Sequence, residues 1–236
     1  MPELQIQVGL AVTGWPEDLE VCLAALFAHA KPGVAVDVAY AGESPEVAEK
    51  MRQIAKRFDP VRLYELGAVG WGLAQRELLS LDTSPYYVTM DVSSVLLGDA
   101  ISPLVELAET SGAVATGWRG VNVALDKNWY EFEDAPAGEV DALLGYLMLV
   151  RREAALNTPP SEKAIFYRNA DMEWSLALRA AGGRLFSVGD DLPVEQRRHR
   201  GYHDTDPTYR DEQSKVNYMR LLKRFKGKTE ILAPRS

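Results

Sequence analysis

Short apolar runs alternate with amphipathic segments through the first half of the chain. The runs are rich in Val, Ala, Leu and Tyr and are too short for buried helices, which predicts β-strands. Between them, apolar residues recur at the spacing of one helix face. We therefore predict strands over residues 5–13, 34–40, 61–66, 86–91 and 113–118. Helices are predicted over residues 16–27, 46–58, 73–81 and 100–109.

The alternation of strand and helix predicts an α/β fold, with a mostly parallel sheet covered by helices on both faces. No repeat or low-complexity linker divides the sequence, so we expect one domain over residues 1–236. Ligands of such open sheets bind beyond the carboxyl ends of the strands. Four segments should line one crevice there: Thr13, 41–44, 67–72 and Asp91.

The second half of the chain has a less regular pattern. Residues 126–138 combine aromatic and acidic side chains with Pro and Gly, which predicts a loop. Residues 140–151 are apolar around Gly145, and we predict one strand in which another group approaches the backbone at that glycine. Two further helices are predicted, over residues 170–181 with Asn169 as the N-cap and over residues 207–225.

Charge is distributed unevenly along the sequence. The net charge of −8 argues against general nucleic-acid binding, which depends on Lys and Arg neutralising phosphates. Residues 197–228 nevertheless hold ten basic and four acidic residues, and the rest of the chain is strongly acidic. A basic segment on an acidic body is typical of a site for one small polyanion. The alternative is an ordinary solvated basic helix.

Other features of the sequence concern the compartment. Charges interrupt every hydrophobic stretch, so we expect no transmembrane segment. The first residues lack a basic region followed by an apolar one, which argues against a secretory signal. Cys22 is the only cysteine and lies on the apolar face of the first helix, which indicates a small buried hydrophobe rather than a disulfide or metal ligand. We expect a cytoplasmic protein.

Three glycines, Gly67, Gly70 and Gly72, precede the third helix. A dinucleotide-binding fingerprint requires a different spacing in the first strand–helix turn. The glycines therefore indicate either a tight turn or a close approach of the backbone to a ligand.

Several polar residues are placed where chemistry could occur. Asp91 ends a strand and precedes Ser93, so it is a candidate ligand for Mg²⁺ or Mn²⁺, or alternatively a turn cap. Asp171 lies in the first turn of its helix, where the helix dipole favours an ionised carboxylate. The residue therefore either acts as a general base or simply stabilises the helix. His199 and His203 leave three interpretations open: ordinary surface residues, metal ligands, or hydrogen-bond donors to a diphosphate.

The aromatic residues of the predicted loop leave a choice open. Trp129, Tyr130 and Phe132 stand among acidic residues. Aromatic rings stack on sugar faces and could form a wall for a second substrate, or they could anchor the loop to the core.

Taken together, these segments resemble family 2 glycosyltransferases of the GT-A type over nearly the whole chain. The most specific matches are a helix headed by an acid and a tail with histidine, an RHxGY pattern and a basic helix that carries Asn and Tyr. The matching stretches are VTGWPEDLEVCLAAL, YYVTMDVSSVLLGDAI, VDALLGYLMLVRREA, YRNADMEWSLALRAAGGRLF and LPVEQRRHRGYHDTDPTYRDEQSKVNYMRLLKRF.

The resemblance implies a transferase that moves a sugar from a nucleoside-diphosphate donor to a sugar, lipid or polysaccharide acceptor by direct, inverting displacement. It places Asp171 as the base that deprotonates the acceptor hydroxyl. It assigns Mg²⁺ or Mn²⁺ to Asp91, Ser93 and His199, with Ser93 standing where the family has its second metal-binding acid. The remaining donor-binding positions are Thr13, Glu43, Gly70, Gly72, Arg76 and Arg198.

The same resemblance divides the domain into a nucleotide-sugar-binding half, residues 1–118, and an acceptor half, residues 119–236. Ala41 replaces an acid that usually follows the second strand, and Glu43 is the nearest substitute. Two alternatives follow: a catalytically inactive GT-A-like domain that binds a nucleotide sugar or a protein partner, and a nucleotidyltransferase. The second lacks the Gly-rich, basic first turn that such an enzyme requires.

Overall fold

The computed structural model describes residues 5–235, which form an α/β structure. The strands are β1 Ile6–Val12, β2 Val34–Tyr40, β3 Val61–Glu65, β4 Tyr86–Met90, β5 Ser94–Leu96, β6 Ala115–Gly117, β7 Gly120–Val123, β8 Phe132–Ala135, β9 Gly138–Glu139, β10 Ala142–Leu143, β11 Leu147–Arg151, β12 Leu185–Ser187 and β13 Val194–Gln196. The helices are α1 Pro16–His29, α2 Pro45–Ala55, α3 Trp71–Ser80, α4 Ile101–Ser111, α5 Arg152–Asn157, α6 Ala170–Ala180, α7 Arg200–His203 and α8 Pro207–Phe225, followed by a 3-10 turn at Thr229–Ile231.

The main sheet has the strand order β3-β2-β1-β4-β11-β6-β12-β9. The first four strands in this order pair in parallel, whereas β11 runs antiparallel to both β4 and β6. The carboxyl ends of β1, β2 and β4 therefore meet at one edge of the sheet. The mixed, mostly parallel sheet confirms the predicted fold class.

Helices cover both faces of the sheet, as predicted. On one face, alternate residues of β1 such as Val8 and Leu10 pack against α1, α2 and α4, and Cys22 is fully buried there. On the other face, Tyr87 and Met148 pack with residues of α3, α5 and α6, including the buried Trp174. Every second residue of β1 therefore points to the same face of the sheet.

Helix α8 packs against α6 through both apolar and charged contacts. Leu221 and Phe225 form a third buried cluster with Leu176 of α6. Beside it, the buried carboxylate of Glu173 accepts hydrogen bonds from Arg220 Nε and Arg224 Nη1, both at 2.7 Å. Two of the ten basic residues of segment 197–228 thus serve to attach α8 to α6.

Three sequence-based expectations about local structure are wrong. Residues 140–151 do not form one strand, because β10 pairs with β7 in a separate sheet and the chain turns before β11. The predicted loop 126–138 contains β8, which pairs with β7. Asn169 does not cap α6 with its side chain, because it adopts a left-handed backbone and its Nδ2 donates to Ser214 O of α8 at 3.0 Å.

The aromatic loop is anchored to the core by Trp129 and Phe132, which both pack in the cluster between α6 and α8. Trp129 is buried against Leu176 and Leu221, and its carbonyl accepts from the Tyr218 hydroxyl at 2.8 Å. Tyr130 is exposed, with Lys226 Nζ 4.0 Å from its ring centroid. Within residues 5–235 no helix combines the length and apolarity required to span a membrane.

Candidate active site

Two adjoining cavities lie beyond the carboxyl ends of β1 and β4. The larger has a volume of about 670 Å³ and the smaller about 70 Å³. The larger volume falls within the usual range of small-molecule sites. Both cavities share five lining residues: Ala11, Trp71, Asp91, Tyr167 and His199.

Asp91 directly follows β4, and a tight turn fixes its carboxylate. Its Oδ1 accepts from Ser93 N at 2.8 Å and from Ser93 Oγ at 2.5 Å. Its Oδ2 is left facing His199, whose Nε2 lies 3.1 Å away. Burial alone would raise the pKa of Asp91, but His199 and the two bonds from Ser93 outweigh burial and hold that pKa below its ordinary value. The carboxylate is therefore ionised and oriented.

The pair Asp91–His199 fits a divalent cation. His199 Nε2 is buried and makes no well-aligned hydrogen bond, despite its closeness to Asp91 Oδ2. At a separation of 3.1 Å, the carboxylate oxygen and the imidazole nitrogen would be close enough to hold one divalent cation together. Residues 5–235 contain no group of three His, Cys, Asp or Glu that could hold a metal. Water or substrate oxygens would complete the coordination, as is common for Mg²⁺.

Two tyrosines hold the imidazole of His199. Tyr167 stacks on it with a centroid distance of 4.6 Å and an interplanar angle of 11°. Tyr146 meets the same ring edge-on at 6.4 Å. Neither tyrosine was predicted as a site residue, although both lie in stretches that carry the family resemblance.

Asp171 lines the large cavity from the first turn of α6. Its Oδ2 accepts from Gly145 N at 2.8 Å and its Oδ1 from Met172 N at 2.9 Å. The approach predicted at Gly145 is thus made by Asp171, whose Cβ would lie 3.2 Å from a Cβ added at the glycine. Protein atoms closely surround the carboxylate, and this burial raises its pKa more than the two backbone bonds lower it. Such a carboxylate is suited to accept a proton.

The other predicted donor-binding residues occupy different places. Thr13 lines the small cavity, together with Trp15 and Ala41. Arg198 lines the large cavity and is paired with Asp204. Glu43 is exposed and lines neither cavity.

Gly70 and Gly72 pack against the chain segment 161–165. A Cβ at Gly72 would lie 1.9 Å from Ser161 O, and Gly72 N donates to Ala164 O at 2.8 Å. Arg76 belongs to the same contact, because its Nε donates to Pro160 O at 2.7 Å. The structure therefore places these three residues behind the cavity wall, where they support the segment that leads to Tyr167.

Two further candidate residues, Ser93 and His203, also line the cavities. Ser93 Oγ donates to Asp91, so its hydroxyl orients the carboxylate. His203 lines the large cavity and meets the Tyr202 ring edge-on at 5.2 Å. Arg168 and Tyr202, which the sequence analysis did not select, also line this cavity.

Two solved structures share this architecture. A crystal structure of GalNAc-T7 with UDP, GalNAc and Mn²⁺ superposes with a TM-score of 0.74 at 12% sequence identity, over 94% of this chain and 48% of that chain. The mannosyltransferase PcManGT from Pyrobaculum calidifontis, in complex with GDP-Man and Mn²⁺, superposes with a TM-score of 0.70 at 18% identity, over 96% of this chain and 68% of that chain. The chain has the GT-A fold.

The GT-A fold confirms the architecture expected from the resemblance. The chain spans about half the length of the GalNAc-T7 chain. No protein-family model matches the sequence, and no curated protein sequence matches it. The likeness concerns the GT-A fold, and the chemistry depends on the side chains of the site.

Proposed function

We propose that this protein is a glycosyltransferase that moves a sugar from a nucleoside-diphosphate donor to an acceptor hydroxyl. The observation that carries the proposal is the common cavity of Asp91, His199 and Asp171. The first two would hold a divalent cation, and the third is a half-buried carboxylate suited to proton transfer. The two GT-A neighbours were solved with a nucleotide or nucleotide sugar and Mn²⁺, which supports the same ligand class here.

The donor would occupy both cavities. The sugar would lie in the large cavity, and the nucleoside would extend toward Thr13 and Trp15, because the small cavity of about 70 Å³ holds only part of it. The diphosphate would then cross the shared wall at Asp91 and His199. A bound Mg²⁺ or Mn²⁺ neutralises the diphosphate and so makes it a better leaving group. Arg198 lies in the same cavity and would contribute further positive charge.

Asp171 would act on the acceptor. Its carboxylate takes the proton of the acceptor hydroxyl while that oxygen attacks the anomeric carbon. The bond between this carbon and the diphosphate oxygen breaks, and its electron pair leaves with the nucleoside diphosphate. A single displacement of this kind inverts the configuration at the anomeric carbon. Membership of family 2 and the use of a sugar, lipid or polysaccharide acceptor belong to the same proposal.

A nucleotide-sugar-binding or protein-binding domain without catalysis is the second candidate. It is favoured by one observation at the small cavity, where Ala41 offers no carboxylate and Glu43 is exposed outside the cavity. Without a carboxylate at this position, the protein would recognise the nucleotide base less well. Asp91 and Asp171 would nevertheless remain in place.

Calorimetry with UDP, GDP, ADP and CDP, with and without Mn²⁺, tests the donor site. We expect one or two diphosphates to bind, and to bind more tightly with Mn²⁺. Release of nucleoside diphosphate from the matching sugar donors, compared between the wild type and Asp171→Asn, then tests catalysis. Binding without any release would favour the second candidate. Absence of binding by every diphosphate would refute the transferase proposal.

A further inference from the structure

Arg168 and Arg197 line the large cavity without a carboxylate partner. Within residues 5–235, no carboxylate oxygen lies within 4.0 Å of either guanidinium. Both side chains are exposed, so each can reach a ligand in the cavity. Their charges are therefore available at the mouth of the site.

Unpaired arginines are exceptional in the described part of this acidic chain. Apart from these two, only Arg76 and Arg152 lack a carboxylate, and both donate to backbone carbonyl oxygens instead. The neighbouring Arg198 and Arg210 are each paired with an aspartate. The unpaired positive charge of the cavity therefore lies on Arg168 and Arg197. It differs from the charge of the paired arginines elsewhere in the basic segment.

Tyr202 holds the side chain of Arg168 in place. The guanidinium carbon lies 4.7 Å from the ring centroid, and Nη1 donates to the tyrosine hydroxyl. Arg210 lies 4.4 Å from the centroid of the same ring. The charge of Arg210 is already compensated by Asp211, whereas that of Arg168 has no carboxylate partner. An arginine already fixed by stacking also loses less side-chain entropy when it binds.

Arg168 stands on the side of the cavity that holds Asp171. It precedes Asp171 by three positions and lines only the large cavity, not the small one. The charge of Arg168 also acts on Asp171, since it is among the groups that lower the pKa of that carboxyl against the larger effect of burial. A substrate whose hydroxyl reaches Asp171 therefore brings its neighbouring groups close to Arg168.

We propose that the acceptor carries an anionic group, a phosphate or a carboxylate, which Arg168 binds from its position on Tyr202 while Arg197 adds a second positive charge. This inference rests on the proposed transferase function, and it names the class of acceptor. A planar guanidinium matches the oxygens of phosphate and carboxylate with paired hydrogen bonds.

Calorimetry with simple probes tests the inference while the donor site is filled. The protein is first saturated with Mn²⁺ and the nucleoside diphosphate that binds it best, and glucose 6-phosphate, glucuronate or glucose is then titrated. We expect one of the two anionic probes to bind at least about tenfold more tightly than glucose, which corresponds to about 1.4 kcal/mol. The two anionic probes distinguish a phosphate from a carboxylate acceptor.

Arg168→Gln should remove the preference for the anionic probe, and Arg168→Lys should keep part of it, because lysine retains the charge but not the fork. Arg57→Gln, at an exposed arginine paired with Glu20, is the matched control and should change nothing. Equal binding of all three probes, or a preference that survives Arg168→Gln, overturns the inference. So does competition between the anionic probe and the nucleotide, since Arg168 would then belong to the donor site.

A failure of the proposed function gives a different result, namely no nucleotide binding by the wild type. In that case the three probes are titrated with Mn²⁺ alone. A preference for an anion that depends on Arg168 would still support an anion site there, and its absence would refute it.

Discussion

Asp91 Oδ2 and His199 Nε2 lie 3.1 Å apart, although the two residues come from opposite halves of the chain. The other carboxylate oxygen of Asp91 is occupied by the backbone and hydroxyl of Ser93. One oxygen is therefore used to orient the side chain, and the other faces the buried imidazole. Ser93, in the second motif position, therefore orients the carboxylate of Asp91 in the proposed metal site.

Ser93→Ala should weaken the binding of Mn²⁺. The variant removes one of the two hydrogen bonds that orient Asp91, and loss of such a supporting group typically lowers metal affinity about 10- to 100-fold. Titration of Mn²⁺ by electron paramagnetic resonance measures the effect. Ser80→Ala, at an exposed serine that bonds only within α3, serves as the control. Unchanged affinity in Ser93→Ala would contradict the orienting role.

Asp171→Asn should abolish most of the transfer while leaving nucleotide binding intact. Removal of a general base typically costs about 10²- to 10⁴-fold in rate. The exposed Asp126, replaced in the same way, is the matched control. Full transfer activity in the Asp171 variant would exclude it as the base.

The pH dependence of the wild type should report the burial of Asp171. Burial raises its pKa above the ordinary aspartate value of 3.8, and the base works only when ionised. Activity should therefore be present above this raised pKa and be lost as the pH falls through it, before an ordinary aspartate would protonate. Measurement of kcat/KM against pH tests the direction. An acidic limb at or below 3.8 would contradict it.

Glu173→Ala should destabilise the fold. Its carboxylate is buried, so the variant leaves Arg220 and Arg224 without their common partner. Breaking a buried ion pair in this way typically costs about 3 kcal/mol or more. Urea unfolding measures the loss. Glu49→Ala, which removes an exposed pair with Arg52, should cost less than about 1 kcal/mol. Equal effects of both variants would show that Glu173 has no special role.

Gly72→Ala should also destabilise the protein, by about 1–3 kcal/mol, the usual range for overpacking. The added Cβ would lie 1.9 Å from Ser161 O, so either α3 or the 161–165 segment must move. Thermal unfolding is the measurement. Gly14→Ala has no atom within 4 Å of its added Cβ and should leave the melting temperature unchanged. A fully stable Gly72→Ala would mean that the segment can shift without cost.

Much of the fold could be predicted from local patterns. The helix over 207–225 has the predicted limits, because Pro207 starts it and its apolar positions follow one face. Strands β1, β2 and β4 could be predicted because nearly all of their residues are buried, which gives continuous apolar runs. Strand β3 lies at the edge of the sheet and is only partly buried. The region 140–151 misled the prediction, since its apolar run crosses from β10 to β11 through a turn that only the pairing of strands reveals.

The site was less accessible to sequence reasoning. Asp91 and Asp171 could be predicted as site residues because Asp91 follows a strand and Asp171 lies at the start of a helix. The stacking of Tyr167 on His199 joins distant parts of the chain, and no local spacing encodes it. Arg168 could not be predicted either, because its proposed role depends on having no carboxylate partner, and only the structure shows this.

Helix α6 is held at its beginning by α8, through Asn169 to Ser214 and through Glu173 to two arginines. Asp171 lies between these two attachment points. A displacement of α8 would therefore move the carboxylate relative to Gly145 and the cavity, even though α8 itself does not bear the base. Two of the five basic residues of α8, Arg220 and Arg224, thus help to fix the position of Asp171 through their common partner Glu173.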